Sequence, residues 1–438
     1  MKTYARLAIG TIGEREEPPW VILGLLAALR NANVHVQLFI GQGAYPRFAA
    51  ARGVCGRCLR YLDSWLMSPQ QCQQAFIQGM QTADLGVVEG SYAGFEEAEG
   101  QEGLEVLCQW LDLPKIVIVD ALQYDPCVPW KLPQNTAGVF LEKVEDERHY
   151  RTLQTDLEIL YGVPVLGGLP RLADLRSQFF QHLASGCISR TWWNALGQQF
   201  ARWWAKDQIL EIARSRPWTF LEMPPQEAER APRPTHSIRQ VALAYDTAFK
   251  RYFCETLDAL EGAGVKIVDF SPLRDERLPE RTDLVYIGCG TLEPHLKTLA
   301  ENHCMKAALR QHAAAGRPIY AEGGGAAYLC HEIRASGISY PMVGILPAVA
   351  YPKSPSRDLT RMECTIEKST WLFSAGHQLR GYLSPEWTWE PLEPDALLAA
   401  NAFCPSALLG GFHAIGSLIH INFAWHPSLL QSFLNPRI

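Results

Sequence analysis

The chain has 438 residues, 47% hydrophobic and 20% charged, with a formal net charge of −6. That is long enough for two or three domains with sizeable cores and ordinary for a soluble globular protein. The balance leaves no basic footprint for nucleic acid or an anionic membrane surface, and no apolar run is long enough to span a bilayer. No signal peptide is read before the first strand, and the twelve cysteines lack a disulfide-framework spacing. A cytoplasmic protein with reduced thiols is expected. Cys55-Gly56-Arg57-Cys58 is a lone CxxC, where zinc would want a second pair.

In chain order, Arg6-Leu7-Ala8-Ile9-Gly10 reads as a strand ending in glycine. The spacing of Val21, Ile22, Leu25, Leu26 and Leu29 predicts an amphipathic helix from Pro18 to about Ala32. Further strands are expected at Val34–Ile40, Leu85–Gly90, Lys115–Asp120, Thr136–Leu141 and Val163–Gly167, with helices between. Such alternation implies a parallel sheet covered on both faces, which binds ligands at the carboxyl ends of its strands. One helical stretch is expected from Trp192 to Arg214, and its tryptophans, with Trp203 and Trp204, suit either a packed junction or a protein interface.

Proline and charge dominate the segment from Pro217 to Ser237. Domains are therefore expected at 1–215 and 239–438, with a linker over 216–238. A second alternation opens at Gln240–Asp246, followed by a helix from Tyr252 to Gly264 and strands at Val265–Phe270 and Leu284–Gly288. A helix from Met305 to Ala315 leads into Pro318-Ile319-Tyr320-Ala321-Glu322-Gly323-Gly324-Gly325-Ala326-Ala327-Tyr328-Leu329. This reads as strand, sharp turn and helix, the shape of a nucleophile elbow with glycine at the turn. The remainder, from Met342, is strand-rich and closes with Ala414–Ala424.

Several segments together resemble the cobyrinic acid a,c-diamide synthase family. They are Leu62-Asp63-Ser64-Trp65-Leu66-Met67, Val87-Val88-Glu89-Gly90, Gly162–Arg171, Tyr286-Ile287-Gly288-Cys289-Gly290 with Glu293 and His295, Tyr320-Ala321-Glu322, Leu379-Arg380-Gly381 and Ile419-His420-Ile421-Asn422-Phe423. The resemblance spans nearly the full length. It implies an α/β protein of two Rossmann-like three-layer domains: a P-loop NTPase-like synthetase domain, then a class I glutamine amidotransferase-like domain. Family members amidate tetrapyrrole carboxylates with ATP and glutamine.

The departures from the family pattern are informative. The family's phosphate loop ends in Lys-Thr; here the segment is Gly10-Thr11-Ile12-Gly13-Glu14-Arg15-Glu16-Glu17-Pro18-Pro19. It has no lysine, two prolines that lack N–H donors, and glutamates where phosphates would sit. Gly10, Thr11, Gly13, Glu89 and Asp120 thus mark a degenerate nucleotide site. Glu89 and Asp120 retain the chemistry to hold Mg²⁺, although structural roles are expected. Ile40 and Ala44 stand at or near the family's lysine and aspartate, and Glu142 stands where the family has an adenine-reading asparagine. ATP with Mg²⁺ is not expected to bind, and no cofactor is implied unless a tetrapyrrole is bound.

The family elbow carries a cysteine that a histidine activates. His420 matches that histidine, while Gly323 is the vacated nucleophile position. Cys330, farther along the chain, is expected too far from the turn to substitute. Cys289 borders the same pocket by resemblance and is a candidate substitute. Arg171, Arg251 and Arg380 are candidates to pair with ring carboxylates, and His413 or His426 to ligate a metal in a bound ring.

The expected function is a non-catalytic homologue. It would bind a carboxylate-rich tetrapyrrole, corrinoid or sirohaem type, in a cleft between the domains, or a protein partner; a homodimer is compatible with this. The alternative is an active amidoligase using free ammonia or a partner glutaminase.

Overall fold

The computed structural model describes residues 4–12, 20–42, 50–92, 103–185, 188–217, 237–353, 360–384, 386–400, 407–411 and 413–437. Gly13, Ala44 and most of the segment expected as a linker lie outside them. The chain forms two compact units, Met1–Gln226 and Glu227–Ile438.

The first unit runs β1 (Arg6–Thr11), α1 (Trp20–Asn31), β2 (Val36–Ile40), α2 (Ala50–Cys55), β3 (Arg60–Tyr61), α3 (Pro69–Gly79), β4 (Leu85–Ser91), α4 (Leu104–Leu111), β5 (Lys115–Asp120), β6 (Thr136–Val144), α5 (Glu147–Tyr161), β7 (Val165–Pro170), α6 (Ala173–Ser185), α7 (Arg190–Ala201) and α8 (Lys206–Arg214). Its strands form one seven-stranded sheet in the order β3-β2-β4-β1-β5-β6-β7. Every neighbouring pair is parallel. The central strands are buried along almost their whole length, as parallel strands covered on both faces must be. The chain reverses direction across the sheet at β1, which lies between β4 and β5. That is the switch point where such sheets open a crevice beyond their carboxyl ends.

Local chemistry sets the helix ends. Ser68 and Gln71 form a capping box at α3. Asp146 accepts from the His149 N–H at the start of α5, and Gly162 closes that helix in the left-handed region. The helix expected from Trp192 to Arg214 is instead two helices. Between them Ala205 N–H donates to the Leu166 carbonyl of β7, and Trp203 stacks on Tyr150 at 5.1 Å. Docking onto the sheet outweighs continuing the helix. Trp192 and Trp193 are buried inside this unit, so they form core rather than an exposed interface.

The second unit runs β8 (Gln240–Ala244), α9 (Cys254–Gly262), β9 (Lys266–Phe270), β10 (Leu284–Ile287), α10 (Leu296–Glu301), α11 (His303–Ala314), β11 (Ile319–Glu322), α12 (Gly324–Leu329), β12 (Cys330–Ala335), β13 (Ile338–Pro341), β14 (Leu346–Pro352), β15 (Arg361–Ile366), β16 (Gln378–Leu383), β17 (Trp387–Pro391), β18 (Ala399–Ala400), β19 (Leu408–Gly411), β20 (Ala414–Ser417), β21 (Ile419–His420) and α13 (Pro427–Leu434). The main sheet has the order β19-β20-β11-β10-β8-β9, parallel except at its β19 edge. Two four-stranded sheets, β13-β12-β14-β17 and β18-β15-β16-β21, complete the unit. Both units are therefore Rossmann-like.

Strand alternation divides the core of this unit. Ala242, Ala244, Val285, Ile287, Ile319 and Ala321 face one hydrophobic cluster. Val241, Leu243, Leu284, Tyr286 and Tyr320 face the other. The second cluster is anchored by Phe433 of α13, whose ring lies 4.8 Å from Phe423, 6.0 Å from Tyr286 and 6.1 Å from Tyr320. Phe433→Ala is expected to destabilise the second unit by about 3–5 kcal/mol. Urea unfolding measures this, and a loss below about 1 kcal/mol would contradict the anchoring role.

Candidate functional site

The ends of β11, β10 and β21, strands from two sheets of the second unit, deliver the site. β11 ends in Glu322, and Gly323 joins it to α12 with φ +50° and ψ −115°. Positive φ is where a side chain is strained and glycine is not, so the elbow keeps its shape without a Cβ. The Gly323 N–H donates to the Ser417 carbonyl at 2.8 Å, tying the turn to β20. Glu322 is fully buried; its Oε1 accepts from the Tyr320 hydroxyl at 2.8 Å and the Ile421 N–H at 3.2 Å. That carboxylate links the elbow to the segment carrying His420.

His420 lies on β21, paired with Tyr382 of β16. A Cβ on Gly381 would lie 2.8 Å from the His420 carbonyl oxygen, so the glycine beside Arg380 is the residue that lets the strands meet. Cys289 follows β10. Its Sγ lies 3.6 Å from His420 Nε2. The loop carrying it is pinned by Arg251 N–H donating to the Cys289 carbonyl at 2.9 Å and by the Tyr252 hydroxyl accepting from Gly288 N–H at 2.9 Å. A Cβ built on Gly323 would stand 2.7 Å from Cys289 Sγ and 3.3 Å from Ser384 Oγ. The three elements thus bring Gly323, Cys289 and His420 together, with the sulfur arriving from the opposite wall.

The electrostatics hold this pair uncharged. Burial pushes the Cys289 thiol well above its ordinary value, and Glu322 and Glu386 add to that; Arg251 and the Gly324 N–H oppose them. Burial first, and Arg251 second, lower His420 to about 3. A nucleophilic cysteine works as thiolate, and a useful general base titrates near the working pH. Neither condition is met. Cys330 begins β12 rather than extending a helix, because α12 stops at Leu329; its thiol donates to the Ala326 carbonyl at 3.4 Å.

The candidate arginines divide. Arg251 is mostly buried, its guanidinium 2.6 Å from Glu386 Oε1. Burial works against its charge, and Glu386 outweighs that. Arg380 is half-exposed and pairs at 3.1 Å with Glu363, the residue opposite it on β15. Arg171 is exposed just past β7 in the first unit. His413 offers its carbonyl to Ile319 N–H at 3.1 Å, while His426 is lowered to about 4 by burial and by His377. Among the described residues no three His, Cys, Asp or Glu side chains are grouped to hold a metal, Cys55 and Cys58 included.

In the first unit, Gly10 and Thr11 end β1, and Glu89 and Asp120 occupy the flanking strands. Asp120 Oδ2 accepts from Lys143 Nζ at 2.6 Å, and its Oδ1 caps the following turn at Leu122 N–H. Glu142, beside Asp120 in the sheet, has Arg176 at 3.5 Å. The Arg176 guanidinium also lies 5.0 Å over the ring of Trp20, the first residue of α1. Asp120 and Glu142 are thus engaged by internal cations. Lys143, Arg176, Ser384 and Glu386 were not singled out from sequence; each acts through a partner distant in the chain, which no local pattern reveals.

Two α/β units, the second built around a strand–elbow–helix beside a Cys–His pair, define a two-domain protein of glutamine amidotransferase type. Residues 240–382 match the CobB/CobQ-like glutamine amidotransferase domain. The chain is 30% identical over 450 residues to the cobyrinate a,c-diamide synthase of Syntrophotalea carbinolica, covering 94% of each chain. It is 29% identical to that of Dehalococcoides mccartyi strain CBDB1, covering 85% of each. The hydrogenobyrinate a,c-diamide synthase of Streptomyces coelicolor is also 29% identical, over 98% of this chain and 96% of its own. The chain belongs to the cobyrinate a,c-diamide synthase family. No helix among the described residues is long and apolar enough to cross a membrane.

The depressed histidines carry a pH consequence. His420 at about 3, with His312 and His426 at about 4, are neutral in the fold, whereas an unfolded histidine titrates near its ordinary value of 6.5. Below 6.5 the unfolded chain takes up protons that the folded one refuses, so stability present above 6.5 is lost as pH falls toward the folded values. Each contributes about 1.4 kcal/mol per pH unit within that window. The Cε1–H resonance of His420 is expected to stay at its neutral position from pH 7 to about pH 4.5. A titration midpoint near 6 would show that the ring is charged at weakly acidic pH.

Proposed function

We propose that this chain binds a carboxylate-rich tetrapyrrole, of corrinoid or sirohaem type, and does not itself carry out glutamine-dependent amidation. The observation that carries the reading is the elbow: Gly323 offers no nucleophile, and the thiol and imidazole beside it are both held uncharged. The first unit adds support. Its loop after Gly10 has no lysine, and Asp120 and Glu142 are engaged within the chain. The relatives are named for cobyrinate and hydrogenobyrinate, which supports a corrin-type ring bearing carboxylates as the ligand class.

The protein purified from its host is expected to carry a Soret-like absorption band and to show no saturable heat of ATP binding with Mg²⁺. A colourless preparation with a stably co-purifying second chain would replace the ring by a protein partner. Micromolar ATP binding would refute the loss of nucleotide recognition.

Family membership favours a second reading, amidation of ring carboxylates with free ammonia or with ammonia from a partner glutaminase. Either source bypasses Gly323, but carboxylate activation still requires a leaving group. Incubation with ATP, ammonia and candidate rings, read by mass spectrometry for acid-to-amide conversion, separates the two. No conversion is expected.

A further inference from the structure

The lost side chain at Gly323 and the sulfur of Cys289 occupy one volume. Any residue at position 323 begins with a Cβ, and that atom would lie 2.7 Å from Cys289 Sγ, well inside contact distance. The loop is closely packed and tethered. A Cβ on Gly290 would lie 1.6 Å from the Ala248 carbonyl oxygen, and Arg251 N–H holds the Cys289 carbonyl at 2.9 Å. The thiol can only rotate, and rotation takes it off His420 Nε2, 3.6 Å away. Cys289 is 2% exposed and His420 5%, so the pair is sealed as well as occupied.

We propose that Cys289 is a cis-acting occupant of the elbow: its thiol fills the place of the missing side chain, takes up the contact with His420, and shuts out the carbonyl of an amide substrate. This rests on the reading that Gly323 has ended the chain's own glutamine chemistry, and adds that restoring a thiol at 323 is not enough. The site reopens only when the Cys289 side chain is removed as well.

The test uses the full chain in four forms: wild type, Gly323→Cys, Cys289→Ala and the double substitution. The probe is a diazoketone analogue of glutamine. A nucleophilic thiol forms a carbon–sulfur bond to it as dinitrogen leaves, and the thiol proton ends on the new methylene. Peptide mapping distinguishes positions 289 and 323 from the other cysteines. The double form is expected to label at 323 at least about tenfold faster than Gly323→Cys alone, and wild type to label at neither position. Thermal unfolding checks that each form is folded, and Gly323→Cys with Cys289→Ser serves if the alanine form is not. Labelling of Cys289 in wild type would overturn both the occupant role and the absence of an elbow nucleophile. Equal rates for Gly323→Cys and the double form, or a folded but unreactive double form, would overturn the occupant role alone and leave the tetrapyrrole reading standing.

Discussion

The buried carboxylate of Glu322 ties together chain segments that are far apart in sequence. One of its oxygens receives the Tyr320 hydroxyl from its own strand and the Ile421 amide from the segment after β21. A carboxylate in an apolar interior is costly unless such donors meet it. Their directions fix where the elbow stands relative to His420. The rest of the site is assembled around that clasp: β20 accepts the Gly323 amide, and the Cys289 loop closes from the other side. The clasp involves no side chain at position 323, which is why the turn holds its form with glycine there.

The two units share a pattern. At the carboxyl ends of the first sheet, Lys143 and Arg176 meet the carboxylates of Asp120 and Glu142, and a tryptophan ring lies under the arginine. In the second unit, Arg251 is neutralised by Glu386, and the Cys289 thiol lies 2.7 Å from where a Cβ on Gly323 would begin. In each case groups of the chain itself satisfy charges or fill space that resemblance to the family assigns to a ligand. Unfilled, those positions would leave buried charge without a partner or a void in a close-packed interior, and either is destabilising. Internal satisfaction of these groups keeps the fold well formed.

Much of this architecture was legible in the residues. Apolar runs such as Leu7-Ala8-Ile9 and Ile116-Val117-Ile118-Val119 name the buried parallel strands, and Trp20–Asn31 carries an apolar surface suited to a covered helix. Gly323 was visible as a turn because strand and helix patterns meet there. The break between α7 and α8 was not, since Trp203 and Trp204 are tolerable in a helix and only docking on β7 and Tyr150 displaces them. Arg251 and Arg380 read as candidate carboxylate binders because arginine suits carboxylates; their partners are set in three dimensions, Glu386 by a loop distant in sequence and Glu363 by pairing of β15 with β16. Cys289 was placeable at the pocket by the family resemblance, but its nearness to where a Cβ on Gly323 would stand is a three-dimensional fact.

The chain leaves the main sheet at Leu418, between β20 and β21. Gly323 and Cys289 are therefore carried by one sheet, and His420 by another, through only two residue pairs with β16. The sulfur-to-imidazole distance is set by two registers, coupled by the Ile421 N–H to Glu322 bond. A one-residue slip of β21 along β16 would move the ring by about 3.3 Å and turn it to the opposite face. The alignment of the pair is thus mechanically composite, and strain delivered to the small antiparallel sheet reaches the imidazole directly and the elbow through the Ile421 N–H to Glu322 bond.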